Sequence, residues 1–340
     1  MAMRPEIMMK SDGATGKLQC LACAHHCRLG EGQAGICGVR HVVNGELKVQ
    51  WGEVSGLALD PMEKKPLYHF LPAEPVLSFG TLGCNFSCAF CQNWHSSQVG
   101  KDPQARARTE PCSAEYIIAQ AKKHQVRALA STYNEPLVSI EWTSHLLALA
   151  KAEGIHGCLI SNGFFSEEAL ALLTPLTSAV NIDLKCFSDD GYRSLGGRLA
   201  PVLAGIRALH AAGVWIELTT LVVPGFNDSD AELRQIADFI AGVSPDIPWH
   251  VSSYFSTYKM PAEPARTPPG RIAAAVEQGR QAGLRFVYTG NDCGGVRQED
   301  THCPQCAQLL IARRGFQVRQ KQLDKGRCPR CGHPLPGVFT

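Results

Sequence analysis

Cysteine is the residue type with the clearest chemical pattern in this chain, since it occurs 15 times in 340 residues and most copies fall into three groups. The first group has the pattern C-x2-C-x3-C-x9-C and consists of Cys20, Cys23, Cys27 and Cys37. The second has the pattern C-x3-C-x2-C and consists of Cys84, Cys88 and Cys91. The third has the pattern C-x2-C-x21-C-x2-C and consists of Cys303, Cys306, Cys328 and Cys331. Thiolates at such spacings are typical ligands of zinc and of iron-sulfur clusters, so the sequence predicts three metal centres.

The central group is informative because it has only three members. Closed structural zinc sites and ordinary electron-transfer clusters use four protein ligands. Three thiolates leave one coordination position open for a reacting molecule, which predicts catalysis. As an alternative, His95 could supply a fourth ligand and close a zinc site.

The two flanking groups each have four cysteines and predict closed sites. Zinc is the simplest occupant of the N-terminal group, with an auxiliary iron-sulfur cluster as the alternative, although the spacing differs from the bacterial ferredoxin run. The C-terminal pairs resemble the two knuckles of a zinc ribbon, where His302 or His333 could replace one cysteine. Zinc would stabilise this short terminal segment, which is too small to bury a large core.

The hydrophobic pattern between residues 75 and 289 predicts the secondary-structure elements that position these cysteine groups. Short β-branched runs alternate with amphipathic stretches, which is the pattern of repeated βα units and a parallel sheet. Strands are predicted over 76–80, 127–132, 155–160, 179–184, 214–223, 250–253 and 285–288, and helices over 113–124, 139–153 and after a capping box at 229–232. Polar motifs follow several of these strands, and in parallel sheets function gathers at the carboxyl ends of the strands.

Composition excludes several classes of function. There are 33 Lys plus Arg against 31 Asp plus Glu, a formal net charge of +2, so no strong field recruits nucleic acid or an anionic membrane. The basic residues of the C-terminal segment are expected to form a solvated face, with RNA binding as the alternative. No run of about 18 apolar residues predicts a membrane span, and the N-terminus lacks the apolar stretch of a secretory signal. A cytoplasmic location with reduced thiols is therefore expected, and the isolated Cys112, Cys158, Cys186 and Cys293 are predicted to be buried packing residues.

The central motif also carries a family resemblance. Cys84, Cys88 and Cys91, with Phe90 as the aromatic residue of C-x3-C-x-aromatic-C, follow the first predicted strand of a βα repeat. This arrangement resembles that of the radical S-adenosylmethionine (SAM) enzymes. The resemblance implies that the three cysteines hold a 4Fe-4S cluster, that SAM chelates its open iron, and that reductive cleavage yields a 5′-deoxyadenosyl radical that abstracts hydrogen from the substrate.

Further motifs resemble those of activating enzymes for glycyl-radical proteins. Asn134 and Glu135 stand where that family has Gly-Gly-Glu, although the glycines are absent here. The resemblance implies that cofactor-binding residues follow successive strands; besides Phe90 they are Asn134, Glu135, Asn162, Asp183, Lys185 and His250. It also implies a glycyl-radical-activase-like activity, with a protein or a small molecule as hydrogen donor.

Over almost its whole length the chain resembles the radical enzymes of the AmmeMemoRadiSam system. This resemblance implies a partial (β/α)6 TIM-like radical SAM barrel at residues 71–290, after an N-terminal four-cysteine segment at 1–70 and before a zinc-ribbon-like module at 291–340. It further implies Memo-like and AMMECR-like partners and a low-potential electron donor such as flavodoxin or ferredoxin. The alternative function is a metal-binding scaffold or redox relay that acts through the two flanking modules.

Overall fold

A computed structural model describes residues 8–13 and 15–339. Its strands are β1 (Met9–Asp12), β2 (Lys17–Cys20), β3 (Arg28–Leu29), β4 (His41–Val43), β5 (Glu46–Lys48), β6 (Glu53–Val54), β7 (Gly56–Pro61), β8 (Pro75–Gly80), β9 (Glu110–Pro111), β10 (Ala128–Ser131), β11 (His156–Ser161), β12 (Ala179–Asp183), β13 (Trp215–Val222), β14 (Trp249–Ser253), β15 (Val287–Gly290), β16 (Thr301–His302), β17 (Leu309–Arg314) and β18 (Gln317–Lys321). Its α-helices are α1 (Trp94–Ser97), α2 (Ala114–Lys123), α3 (Ile140–Ala152), α4 (Glu167–Leu173), α5 (Asp189–Ser194), α6 (Leu199–Ala211), α7 (Asp230–Val243) and α8 (Pro269–Gln281). Short 3₁₀ turns lie at Met62–Lys64, Pro136–Ser139 and Thr174–Leu176.

The chain divides into two compact units. The first comprises the described residues up to Asp60, Pro75–Val180 and Tyr192–Val214. The second comprises Pro61–Glu74, Asn181–Gly191 and the described residues from Trp215 onward. The predicted domains 1–70, 71–290 and 291–340 have other boundaries and stay predictions; residues 1–7, 14 and 340 of the outer two lie outside the described residues.

Parallel strands form the core of the first unit. Here β10 lies between β8 and β11 and is parallel to both, with Leu129 opposite Leu77 and Gly157. All four residues of β10 are buried, as expected for an apolar strand covered on both faces. Helix α2 begins at the predicted N-cap, where Ser113 Oγ accepts a hydrogen bond of 3.1 Å from Tyr116 N.

The second unit repeats the pattern with β13, β14 and β15, which are parallel in that order. Ser229 caps α7 by accepting a hydrogen bond from Glu232 N. The Glu232 carboxylate accepts from the backbone N–H of Phe187, so it anchors the chain after β12. The α/β class with mostly parallel strands is confirmed, while barrel closure stays a prediction.

Element bounds differ little from those predicted. The helix predicted over 139–153 is α3, and the strand predicted over 285–288 lies two residues later as β15. Each unit also contains a small antiparallel sheet that the sequence analysis did not define. The sheet is β1–β2–β3 in the first unit and β16–β17–β18 in the second. Among the described residues, no helix is long and apolar enough to cross a membrane.

Candidate active site and metal centres

The central cysteines lie in the loop between β8 and α1, in the first unit. Cys88 is buried, and Cys84 and Cys91 are partly exposed. The Cys84 sulfur accepts a 3.4 Å hydrogen bond from Phe86 N, and the Cys91 sulfur lies 3.1 Å from Ser97 Oγ. The loop is therefore ordered by its own backbone and side chains, and the three thiols are placed within one short segment.

Lys101 fixes the shape of this loop, and sequence analysis missed it because a single lysine carries no motif. Its ammonium group donates hydrogen bonds of 2.8 Å to Cys84 O and 2.6 Å to Phe86 O. Burial lowers the pKa of Lys101, whereas the nearby thiolates favour its charged form. Burial raises the pKa of the Cys84 thiol, and the charges of Glu135 and Cys88 raise it further. A positive metal centre would reverse this effect, because ligation stabilises the thiolate.

Asn134 connects the end of β10 to the segment that precedes Cys84. Its Oδ1 accepts a 2.8 Å hydrogen bond from Thr81 N, and its Nδ2 donates to Thr81 Oγ1 at 2.9 Å and to Gly83 O at 3.1 Å. Asn134 is buried, with 8 % of the residue exposed, and its amide group is occupied by these bonds. The side chain of Asn134 thus positions the cysteine loop.

Glu135 makes the corresponding connection to β11. One carboxylate oxygen accepts a 2.8 Å hydrogen bond from Asn162 N, and the other accepts from Ser161 Oγ at 2.8 Å and from Leu137 N at 3.2 Å. Buried carboxylates are stable only with such partners. Asn134 and Glu135 together therefore hold the carboxyl ends of three neighbouring strands of the first unit.

Asn162 is the predicted cofactor residue with a direct contact to a central cysteine. Its Nδ2 lies 3.7 Å from the Cys84 sulfur and donates a 2.6 Å hydrogen bond to Asn85 Oδ1. Phe90 is buried within the same loop. The first unit thus brings Cys84 and Glu135 to either side of Asn162.

The remaining predicted cofactor residues lie in the second unit. Asp183, at the end of β12, forms a 2.9 Å ion pair with Lys185, and both side chains are partly exposed. His250 in β14 is buried, with its Nε2 only 2.6 Å from Glu217 Oε2. Asp183 and Lys185 therefore pair with each other at a partly exposed position, whereas His250 pairs with Glu217 in the interior.

Glu217 is the centre of a buried network that sequence analysis did not detect. Its carboxylate also accepts hydrogen bonds from the backbone N–H groups of Tyr68 and His69, at 2.9 and 2.7 Å. Burial opposes its charge, but the hydrogen bond and charge of His250, with that of His69, hold the pKa of Glu217 below its ordinary value. The network explains the burial of His250 without a cofactor.

The N-terminal cysteines surround one cavity in the first unit. Cys20, Cys23, Cys27 and Cys37 all line it, together with Arg40. Arg40 is buried and forms a bidentate ion pair with Glu141 of α3, with both N–O distances 2.6 Å. The fold thus gathers the four thiols that the sequence spacing grouped.

The C-terminal cysteines converge more tightly. The sulfurs of Cys303, Cys306, Cys328 and Cys331 lie within 4.8 Å of one another, with two pairs 3.6 Å apart. Tetrahedral zinc with bonds of about 2.3 Å requires sulfurs about 3.8 Å apart. Desolvation opposes ionisation of Cys328, but backbone N–H groups and neighbouring thiols bring its pKa to about 7. The donor set therefore fits a single zinc ion.

Comparisons with known proteins identify the family that this chain resembles. The family model described as Radical SAM superfamily matches residues 79–240. An uncharacterized protein of Methanocaldococcus jannaschii is 35% identical over 327 residues, covering 95% of this chain and 96% of that protein.

Two characterised relatives match shorter parts of the chain. The pyruvate formate-lyase 1-activating enzyme of Escherichia coli K12 is 27% identical over 46% of this chain and 65% of its own length. The benzylsuccinate synthase activating enzyme of Thauera aromatica is 29% identical over 31% of this chain and 33% of its own length. The chain thus spans two thirds or less of either activating enzyme.

Proposed function

Since the chain belongs to the radical SAM superfamily, we propose that Cys84, Cys88 and Cys91 hold a 4Fe-4S cluster that leaves one iron open for SAM. The observation that carries the proposal is the three-cysteine loop after β8 with Asn162 beside Cys84. Bound there, the cluster and SAM supply a 5′-deoxyadenosyl radical, which abstracts a hydrogen atom from the substrate.

The chain's own residues would bind and orient these groups. Three thiolates are the donor set of such a cluster, and Lys101 keeps their loop in one conformation. Asn134 and Glu135 hold the strand ends that carry the loop and Asn162. In the second unit, the ion pair of Asp183 and Lys185 offers charges suited to the amino and carboxylate groups of SAM.

The names of two relatives bear on the substrate class. Two relatives are named as activating enzymes, which supports hydrogen abstraction from a protein in an activase-like reaction. A small molecule is the alternative hydrogen donor. We also propose that the protein acts in the reducing cytoplasm and receives electrons from a low-potential donor such as flavodoxin or ferredoxin. Memo-like and AMMECR-like proteins are its proposed partners. We also include zinc at the C-terminal cysteines, for which the sulfur spacing is suited.

The direct test is SAM cleavage by anaerobically reconstituted protein. Reduction with dithionite should convert SAM into 5′-deoxyadenosine, and Cys84→Ala, Cys88→Ala or Cys91→Ala should each abolish the product. Cys112→Ala is the matched control, because Cys112 belongs to none of the three groups. Full iron loading without cleavage, or cleavage by Cys84→Ala, would contradict the proposal.

A second candidate function is a metal-binding scaffold or redox-relay protein that acts through its two flanking four-cysteine modules. The convergence of the four C-terminal sulfurs favours it. Partner capture that survives Cys84→Ala and fails with Cys328→Ala would support the scaffold. Capture that survives both variants would reject it.

A further inference from the structure

The sulfur positions distinguish the C-terminal site from the other two. Among the described residues, the C-terminal cysteines are the one group of three or more His, Cys, Asp or Glu side chains whose ligand atoms converge. Their 3.6 Å sulfur pairs match the spacing of about 3.8 Å that tetrahedral zinc imposes. The four N-terminal sulfurs line a common cavity without converging in this way.

The central cysteines provide an internal comparison. Their sulfurs also fail to converge to the zinc spacing, although their motif is that of a cluster. In a 4Fe-4S cluster each cysteine binds a different iron, so the thiolates stay farther apart than on one zinc ion. Among the described residues, the N-terminal and central groups are therefore alike in lacking the tight convergence of the C-terminal sulfurs.

Arg40 provides a second, independent observation at the N-terminal cavity. The residue is 2 % exposed, and although Glu141 pairs with its two terminal nitrogens, Nε has no hydrogen-bond partner. A buried N–H without a partner is costly. Cluster sulfides would supply acceptors inside the cavity, and hydrogen bonds to sulfur are a common feature of iron-sulfur sites.

Two contacts place this site against the central loop. His25, between Cys23 and Cys27, lies with Nε2 2.9 Å from Asn85 O, and Asn85 directly follows Cys84. On the other side, a Cβ at Gly83 would lie 2.6 Å from Val39 Cγ2. The segments that carry the two cysteine groups are therefore in van der Waals and hydrogen-bond contact.

We propose that Cys20, Cys23, Cys27 and Cys37 hold a second, redox-active 4Fe-4S cluster in place of zinc, and that this cluster passes electrons to the central one. The relay rests on the proposed function, which supplies the acceptor. A low-potential one-electron donor is oxidised by one electron, and the N-terminal cluster goes from the 2+ to the 1+ state. When that electron passes to the central cluster, the N-terminal cluster returns to the 2+ state and the central cluster goes to the 1+ state. No other reactant is needed.

Metal analysis of full-length protein tests the cluster itself. The triple variant Cys84→Ala/Cys88→Ala/Cys91→Ala, prepared anaerobically, should retain about four irons and about one zinc per chain. Reduction should then produce the electron paramagnetic resonance (EPR) signal of a 4Fe-4S cluster in the 1+ state. About two zinc ions and no iron would overturn the proposal.

A single substitution covers the case in which the triple variant does not fold. Cys23→Ser in the otherwise native chain should lower the iron content from about eight to about four per chain. The remaining EPR signal should still change when SAM is added. An iron content equal to that of the native protein would overturn the second cluster.

The relay has its own measurement. In Cys23→Ser, the ratio of flavodoxin-driven to dithionite-driven SAM cleavage should fall by an order of magnitude or more, and an unchanged ratio would overturn the relay. Failure of the proposed function gives a different result. The native protein would then cleave no SAM, while the triple variant would still contain iron.

Discussion

The carboxylate of Glu135 accepts a 2.8 Å hydrogen bond from the backbone N–H of Asn162, although the two residues follow different strands. The same carboxylate also accepts from Ser161 Oγ. The contact fixes the turn that places the Asn162 side chain beside Cys84. A residue predicted to touch the cofactor thus positions the residues around it.

Glu135→Gln tests this relationship. Glutamine keeps the shape but replaces one acceptor oxygen with a donor NH2, which leaves either Asn162 N or Leu137 N without an acceptor. We expect a loss of about 1–3 kcal/mol in the free energy of unfolding, measured by denaturant titration. The exposed Glu110→Gln is the control and should be near neutral. Equal effects of the two variants would contradict the positioning role.

Gly100 and Gly38 make a close contact that should not tolerate a side chain. A Cβ at Gly100 would lie 2.4 Å from Gly38 O, and the backbone φ of Gly100 is +80°. Gly154 has a similar φ of +73° but no atom within 4 Å of its Cβ position. A comparison of Gly100 with Gly154 therefore separates the effect of steric clash from the effect of backbone strain.

Gly154→Ala should cost roughly 1 kcal/mol through strain alone. Gly100→Ala should cost at least about 1 kcal/mol more, because backbone must move. It should also lower the metal content of the N-terminal site, since Gly38 directly follows Cys37. Thermal unfolding and metal analysis of both variants measure these effects; equal stability would show that the contact is unimportant.

Cys306→Ser should remove the zinc that we propose for the C-terminal site. Its sulfur lies 3.6 Å from that of Cys328, and the neighbouring Cys303 packs with Leu310 and Ile311 in a buried cluster. We expect about one zinc less per chain and faster amide exchange in β16–β18, because metal binding and folding are coupled in such small modules.

Cys293→Ser is the matched control for this variant. Cys293 is likewise a cysteine of the second unit; it is buried, and its thiol donates a 3.0 Å hydrogen bond to Gly290 O that serine can keep. Zinc content should stay at the native level. Equal zinc loss in Cys293→Ser and Cys306→Ser would show that the effect is not specific to the four C-terminal cysteines.

His69 should make stability depend on pH. Its ring nitrogens lie 2.8 Å from Pro336 O and 2.6 Å from the Tyr288 hydroxyl, and burial lowers its pKa to about 4. Between about pH 4 and 6.5 the unfolded chain therefore binds a proton that the folded chain does not. Stability is highest above pH 6.5 and should fall by about 1 kcal/mol between pH 7.5 and 5.5. The lowered pKa of Glu217 acts in the same direction at lower pH.

His69→Asn should reduce this pH dependence, because asparagine can keep the bond to Pro336 O without titrating. The exposed His41→Asn should leave the slope as in the native protein. Thermal unfolding midpoints measured from pH 7.5 to 5 give the slopes. A native slope in His69→Asn would contradict the assignment.

The sequence by itself determined the grouping of the cysteines, the family and most elements. Cys84, Cys88 and Cys91 lie within eight residues of chain, so their spacing expresses the chemistry locally. The N-cap at Ser113 and the apolar run of β10 are likewise local signals, and the structure agrees with both. Such local patterns predict structure well because residues that are close in sequence lie in the same helix, strand or loop.

Only the tertiary structure decided what each polar side chain does. The distance between sulfurs 22 residues apart, such as Cys306 and Cys328, depends on how the intervening strands fold back. Lys101 reaches the Cys84 loop, and His250 pairs with Glu217, through contacts between distant parts of the chain. Such contacts are set by packing, which brings together residues that no short motif relates.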